Sequence, residues 1–174
     1  GTSTAQPHSV AVIRVPAAMA LSDVWRAAGR SFALVDENGQ IVQATPTWPS
    51  EAARGGFRNS GPILGENLLA ICPHWARAKV TAEWPTLVTH DSAVCVLYPV
   101  DRPVDQERWF ILLIDKDASA GDASIRFMVI LVSVLRVLED SALMVEFERN
   151  AGISRERILI DILRHGLVNL HLDS

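Results

Sequence analysis

Cys72-Pro73-His74 is the one cluster in this chain that raises a chemical question. A cysteine thiolate or an imidazole can ligate haem iron. The plainer reading is a buried cysteine ending one helix and a proline opening the next. Elsewhere there is no G-x-S-x-G, no H-E-x-x-H and no glycine loop built to cradle phosphate. Gly55-Gly56 has no lysine and no helix start after it, so it reads as a loop. His8, His74, His90, His165 and His171 are scattered, with no pair at metal-ligand spacing. No catalytic or metal site is therefore expected, and the chain does not read as an enzyme. His74, Trp75, Trp84, Leu97, Tyr98 and Phe110 are the residues expected to line a ligand pocket, if there is one. Aromatic residues at such places are more often plain core.

The elements that would position these residues centre on Asp91 to Val134. Val94–Tyr98, Trp109–Ile114 and Ile125–Val134 are rich in β-branched, aromatic and aliphatic residues and read as strands. Polar links join them, Pro99 to Glu107 and Lys116 to Ser124. Such links are too short for a crossover helix, so the strands should be antiparallel. Periodicity leaves the third segment open between buried strand and buried helix. Its β-branched crowding favours a strand.

Upstream, Val10–Val15 is weakly strand-like and Pro16 ends it. Leu21 to Arg30 reads as a short helix, capped by Ser22 or Asp23, with Leu21, Val24, Trp25 and Ala28 on one face and Gly29 closing it. Asp36-Glu37-Asn38-Gly39, between Phe32–Val35 and Gln40–Ala44, carries the strongest short hairpin signal. Thr45 to Gly61 reads as loop because of its prolines and glycines. A short helix is expected from about Glu66 to Ile71, then another from His74 to Trp84, ended by Pro85, with Leu87-Val88 leading into the strands. Leu135 to Arg149 reads as a helix with an apolar stripe of Leu135, Leu138, Ala142 and Val145. Ser154 caps a last helix to about Arg164, with Ile158, Leu159, Ile162 and Leu163 as its apolar set, and Gly166 can end it.

The chain has 174 residues, 49% of them hydrophobic, and a net charge of −4. That is enough for one good core. The acidic balance argues against a surface devoted to nucleic acid. Cys72 and Cys95 sit in apolar surroundings and read as reduced thiols. No leader or membrane span is visible, so a cytoplasmic location with no membrane partner is expected.

Hairpin, short helices, three antiparallel strands and a helix is an order that resembles a PAS domain. Phe32-Ala33-Leu34-Val35-Asp36-Glu37-Asn38-Gly39-Gln40-Ile41-Val42 is similar to the opening hairpin of that family. Gly65-Glu66-Asn67-Leu68-Leu69-Ala70-Ile71-Cys72 and Tyr98-Pro99 with Arg108-Trp109-Phe110 resemble motifs of one bacterial subgroup, as does Trp48. The asparagine usual near Ala44 or Thr45 is missing. The match covers roughly Phe32 to Val134. The resemblance implies an α+β fold: a five-stranded antiparallel sheet with short helices on one face and a helical C-terminal extension. The expected division is 1–20 as an N-terminal extension, 21–134 as the sensor domain, and 135–174 as a signalling helix and a second helix. GAF sensors, which share the sheet order, are the runner-up. Some PAS relatives hold haem through a histidine near His74, whereas flavin-adduct photoreceptors need a cysteine where this chain has Leu68; no cofactor is expected here. Arg155-Glu156-Arg157, Leu159 and Gly166-Leu167-Val168-Asn169 faintly resemble the start of a LuxR-type DNA-binding domain. The tail is acidic, so a solvated helix face is the simpler account.

The resemblance implies a non-catalytic sensing and dimerisation module of a bacterial regulator, of transcription-regulator or two-component type, that passes ligand or partner state along its C-terminal helix to an output domain. A ligand-free dimerisation module is the alternative. A homodimer is expected through Leu135, Leu138, Ala142 and Val145 and through the sheet. Both faces of the middle and last strands are apolar, and a sheet with one wet face should alternate with polar residues. A second copy is the simplest cover for the outer face, since a short N-terminal helix cannot mask three strands; the competing account is that the N-terminal segment from Val10 folds across the sheet within one chain.

Overall fold

The computed structural model describes residues 11–16, 19–58, 62–90, 92–104, 107–117 and 125–173. Along the chain these form β1 (Ala11–Pro16), α1 (Met19–Ala27), β2 (Ala33–Asp36), β3 (Ile41–Ala44), α2 (Trp48–Arg54), α3 (Leu68–Ile71), α4 (His74–Thr89), β4 (Ser92–Val104), β5 (Glu107–Lys116), β6 (Arg126–Ser133), α5 (Val134–Glu139), α6 (Ser141–Ala151) and α7 (Arg155–Asp173). The sheet order is β1-β4-β5-β6-β2-β3, antiparallel at every pairing. The expected five-stranded antiparallel sheet is there, with short helices on one face and helices after it. The weak N-terminal strand adds a sixth member beside β4, pairing Ala11 with Leu97 and Pro16 with Ser92.

The period of two decides what lies on each face. On the inner face, Val96, Tyr98, Phe110, Leu112, Phe127 and Val129 pack against Trp48, Leu68, Val80, Trp84 and Leu87 from α2, α3 and α4. On the outer face, Cys95, Leu97, Ile111, Leu113, Met128 and Ile130 pack against Trp25, Val137, Leu143, Met144, Phe147 and Ile158. The outer face is thus closed within the chain by α1, α5, α6 and α7, and a second copy is not needed to cover it. The expectation undervalued the C-terminal helices. The residues after Ser133 turn back over the sheet instead of running away from it.

The hairpin forms as its Asn-Gly predicts. Asp36 Oδ1 accepts from the backbone N–H groups of Asn38 and Gln40, each at 2.9 Å, and Gly39 takes φ +85°. Asn67, the centre of one resembling motif, has a local structural task. Its Oδ1 accepts from Leu69 N at 2.9 Å as the N-cap of α3, and its Nδ2 donates to Asn38 O at 3.1 Å.

Several expected boundaries move. Pro85 does not end α4, which continues to Thr89 and takes in Leu87 and Val88. Burial of Trp84 and Leu87 on either side of the proline holds the helix together, the usual way packing overrides propensity. The loop expected from Thr45 contains α2, with Pro49 in its first turn, where a missing N–H costs nothing. Strand β4 extends through Pro99 and Pro103 with a register shift between Pro99 and Val104, so most of the expected link is strand. Ser22 and Asp23 lie inside α1, and of its expected apolar face Trp25 is buried whereas Val24 is exposed. The Lys116–Ser124 link falls largely outside the described residues.

The helix expected from Leu135 to Arg149 is two helices. Asp140 breaks it and caps α6, accepting from Leu143 N at 3.1 Å. The buried face is Val134, Val137, Leu143, Met144 and Phe147; of the expected stripe, Leu135, Ala142 and Val145 are exposed and Leu138 packs on the outer cluster. Ser154 accepts from Arg157 N at 3.1 Å, as expected of a cap, and α7 runs on past Gly166 to Asp173.

One thiol lies in each core. Burial pushes Cys72 up from 9.0 to about 12, against a small opposing effect of Arg77. Burial likewise pushes Cys95 up from 9.0 to about 12. The folded chain therefore keeps protons that the unfolded chain releases above pH 9, so unfolding free energy should fall as pH rises from 9 towards 12. Urea denaturation at pH 8, 9 and 10 should show that decline in the native chain. It should be markedly flatter in Cys72→Ala/Cys95→Ala, and equal slopes would show that the thiols are not its source.

Candidate functional site

The six residues expected to line a pocket do not converge. Tyr98, Phe110 and Trp84 are inner-face core. Tyr98 and Phe110 stack with ring centroids 6.3 Å apart, and Trp84 lies 5.3 Å from Phe127 while its Nε1 donates to Glu37 O at 2.8 Å. Leu97 faces the opposite side of the sheet, in the outer cluster. Adjacent residues on a strand point to opposite faces, so Leu97 and Tyr98 could not share one pocket. Only His74 and Trp75 reach an open cavity, their rings 4.2 Å apart.

That cavity is a cleft of about 550 Å³ at the rim of the inner face. Three places in the chain build it: the C-terminal end of α2 with the loop after it, the start of α4, and the far end of β4. Its walls carry Arg54, Arg58, Arg77 and Arg102, with Asp101 as the one lining carboxylate among the described residues. Phe57, Pro73, Trp75, Pro99 and Val100 supply an apolar side. The arginines were not found by sequence reasoning, and no spacing links them: only Arg54 and Arg58 are near neighbours, and the rest come together through the fold.

Local bonds fix the walls. Tyr98 Oη donates to Gly55 O at 2.6 Å, which anchors the loop after α2 to the sheet. A Cβ at Gly55 would lie 2.6 Å from Leu131 Cδ2 and 3.0 Å from Tyr98 Oη, so a larger residue there must displace the buried Leu131 side chain. Burial drives the Tyr98 phenol well above its usual range, with Cys72 adding to the shift, so it stays a donor. Arg58 donates to Ala70 O, and Arg77 Nη2 donates to Cys72 O at 2.9 Å. Trp75 Nε1 donates to Asp101 Oδ1 at 3.0 Å, joining α4 to β4 across the cleft. Arg77 Nε is buried and has no hydrogen-bond partner among the described residues.

One wall residue also points away from the cleft. Arg54 forms an ion pair with Glu107, at the start of β5, which is only 8% exposed. Ser133 Oγ donates to Glu107 Oε2, and the same Oγ accepts from Arg136 N at 3.2 Å as the N-cap of α5. Arg136 in turn lies 3.6 Å from Glu51 of α2. A continuous polar chain therefore runs from the cleft, along the end of the sheet, to the first C-terminal helix.

Cys72 and His74 are not placed as a ligand pair. Cys72 is fully buried with its thiol held neutral, whereas His74 is exposed at the cleft. Only the thiolate is a metal ligand, so Cys72 does not suit haem iron. Among the described residues no group of three or more His, Cys, Asp or Glu side chains could hold a metal ion, and no helix is long and apolar enough to cross a membrane.

No protein-family model matches the chain, and no curated protein does. Solved structures do. The sensor region of a sensor histidine kinase is 18% identical with a TM-score of 0.46, covering 64% of this chain and 41% of that one. A domain of an HTR-like protein from Haloarcula marismortui is 19% identical with a TM-score of 0.39, covering 60% of this chain and 96% of that one. An RNA-binding light-oxygen-voltage receptor is 17% identical with a TM-score of 0.44, covering 83% of this chain and 43% of that one. The chain thus spans about two fifths of the kinase sensor chain it matches.

Proposed function

We propose that this chain is a non-catalytic sensory module of a regulatory protein, and that it reports the state of the rim cleft to its C-terminal helices. The observation that carries this reading is the chain from Arg54 through Glu107 and Ser133 to the N-cap of α5. A buried carboxylate must keep its partners. Anything that draws the Arg54 guanidinium into the cleft weakens the hold on Glu107, frees Ser133 to reorient, and loosens the cap. A cap of this kind contributes roughly 1 kcal/mol, enough to shift a marginal six-residue helix. The PAS-like order of elements supports the same reading, since helices leaving the last strand are where such modules connect to their outputs. Hydrogen exchange tests it. In Arg54→Ala the amides of 134–139 should exchange severalfold faster, while Arg58→Ala leaves them unchanged. Native-like protection of α5 in Arg54→Ala would end the relay reading.

A second reading, association of two copies through the C-terminal helices, is favoured by one observation. Leu135, Val145, Leu159, Ile160 and Leu163 are 41–65% exposed on α5, α6 and α7. Leu138, by contrast, packs on the chain's own core and is not available to a second copy. Light scattering at micromolar concentration should give a dimer that Val145→Asp/Leu163→Asp returns to about 19 kDa. A native mass near 19 kDa would contradict it.

A further inference from the structure

We propose that the rim cleft binds a small organic anion bearing two or more negative charges, with a carbon framework lying on the Trp75 side. The assignment rests on the reading of this cleft as the sensing site.

The charge distribution points there first. The chain has 16 Lys and Arg against 20 Asp and Glu, yet among the described residues the cleft lining gathers four arginines, one of them paired with Glu107, against one carboxylate. That carboxylate, Asp101, already accepts from Trp75 Nε1. Like charges brought together repel, and a concave wall focuses their field towards negative solutes. The arginines are held and not merely near one another. Arg58 and Arg77 each donate to a backbone carbonyl, and the buried Arg77 Nε has no hydrogen-bond partner among the described residues. Guanidinium N–H groups at the cleft wall can donate to a carboxylate or phosphoryl oxygen, the pairing such groups make best. The 16-residue helix α4 begins on the same wall, at Pro73, His74 and Trp75, and adds the positive end of its dipole.

Size and shape narrow the class. A cavity of about 550 Å³ is several times larger than one phosphate or acetate needs and suits a small metabolite. Phe57, Val100 and the Trp75 ring offer apolar contact that a bare inorganic ion cannot use. A polynucleotide would need positive charge extended beyond the cleft, and the chain is acidic overall.

The test uses citrate for the carboxylate arm and pyrophosphate for the phosphoryl arm. Each is titrated calorimetrically into the whole chain at fixed ionic strength, with sodium chloride as the blank. Saturable one-to-one binding of either probe is expected, and which one binds names the acidic group. Arg102→Gln, at an exposed position on the rim, should weaken binding about tenfold with thermal stability unchanged; Arg149→Gln, exposed on α6, should not. Glu107→Gln should tighten binding severalfold, because the anion and Glu107 compete for Arg54. No saturable binding of either probe, equal losses in Arg102→Gln and Arg149→Gln, or tighter binding of oligothymidylate than of both probes would each overturn the proposal. Binding that leaves α5 exchange unchanged supports this site and counts only against the relay. Absence of binding while Arg54→Ala still loosens α5 overturns this site and leaves the relay standing.

Discussion

The structure depends on one constraint: β5 and β6 are apolar on both faces, so the sheet must be covered twice. Phe110, Leu112, Phe127 and Val129 need one layer, and Ile111, Leu113, Met128 and Ile130 need another. Removing such side chains from water contributes about 1.5–3 kcal/mol each. The inner layer comes from α2, α3 and α4, and the outer from α1, α5, α6 and α7. The C-terminal helices are therefore part of the fold's own core, and movement at their origin is felt by the sheet.

Double coverage also dictates where polar groups can meet. With both faces dry, charged side chains collect at the ends of the strands. At one end stand Arg54, Glu107 and Ser133; beside the outer layer, Arg26 reaches nearly buried Asp117 at 3.2 Å. Exposed ion pairs such as Arg157 with Asp161 contribute little. Glu107, at the start of β5, differs, because it is almost out of water and its partners come from two other elements, α2 and the β6–α5 junction. Losing one partner leaves a charge in a poorly solvated place, which couples the cleft to the helix without any large movement.

The sheet was legible in the sequence because its signals are local and redundant. Asn38-Gly39 marks the hairpin, and the β-branched runs mark β4, β5 and β6. The alternation of Phe127, Val129 and Leu131 against Met128, Ile130 and Val132 gave both faces correctly. What failed depended on partners distant in the chain. Pro85 looked like a stop until burial of Trp84 and Leu87 outweighed it. Asp140 lies inside the stretch expected as one long helix and is the cap of a separate one. The candidate site was legible only at His74 and Trp75. Trp84, Leu97, Tyr98 and Phe110 are aromatic or apolar, the property that sends a side chain into the core. Arg54, Arg77 and Arg102 are brought together by tertiary folding, and no motif records that.

The central claim is that the cleft and α5 share one energetic unit through Glu107. A double-mutant cycle in unfolding free energy between Arg54→Gln and Ser133→Ala measures this directly, since both side chains bind that carboxylate. The account predicts a coupling of at least about 0.5 kcal/mol, the range for residues in one hydrogen-bonded network. Additivity within error would contradict it and leave Arg54 and Ser133 as two independent local contacts.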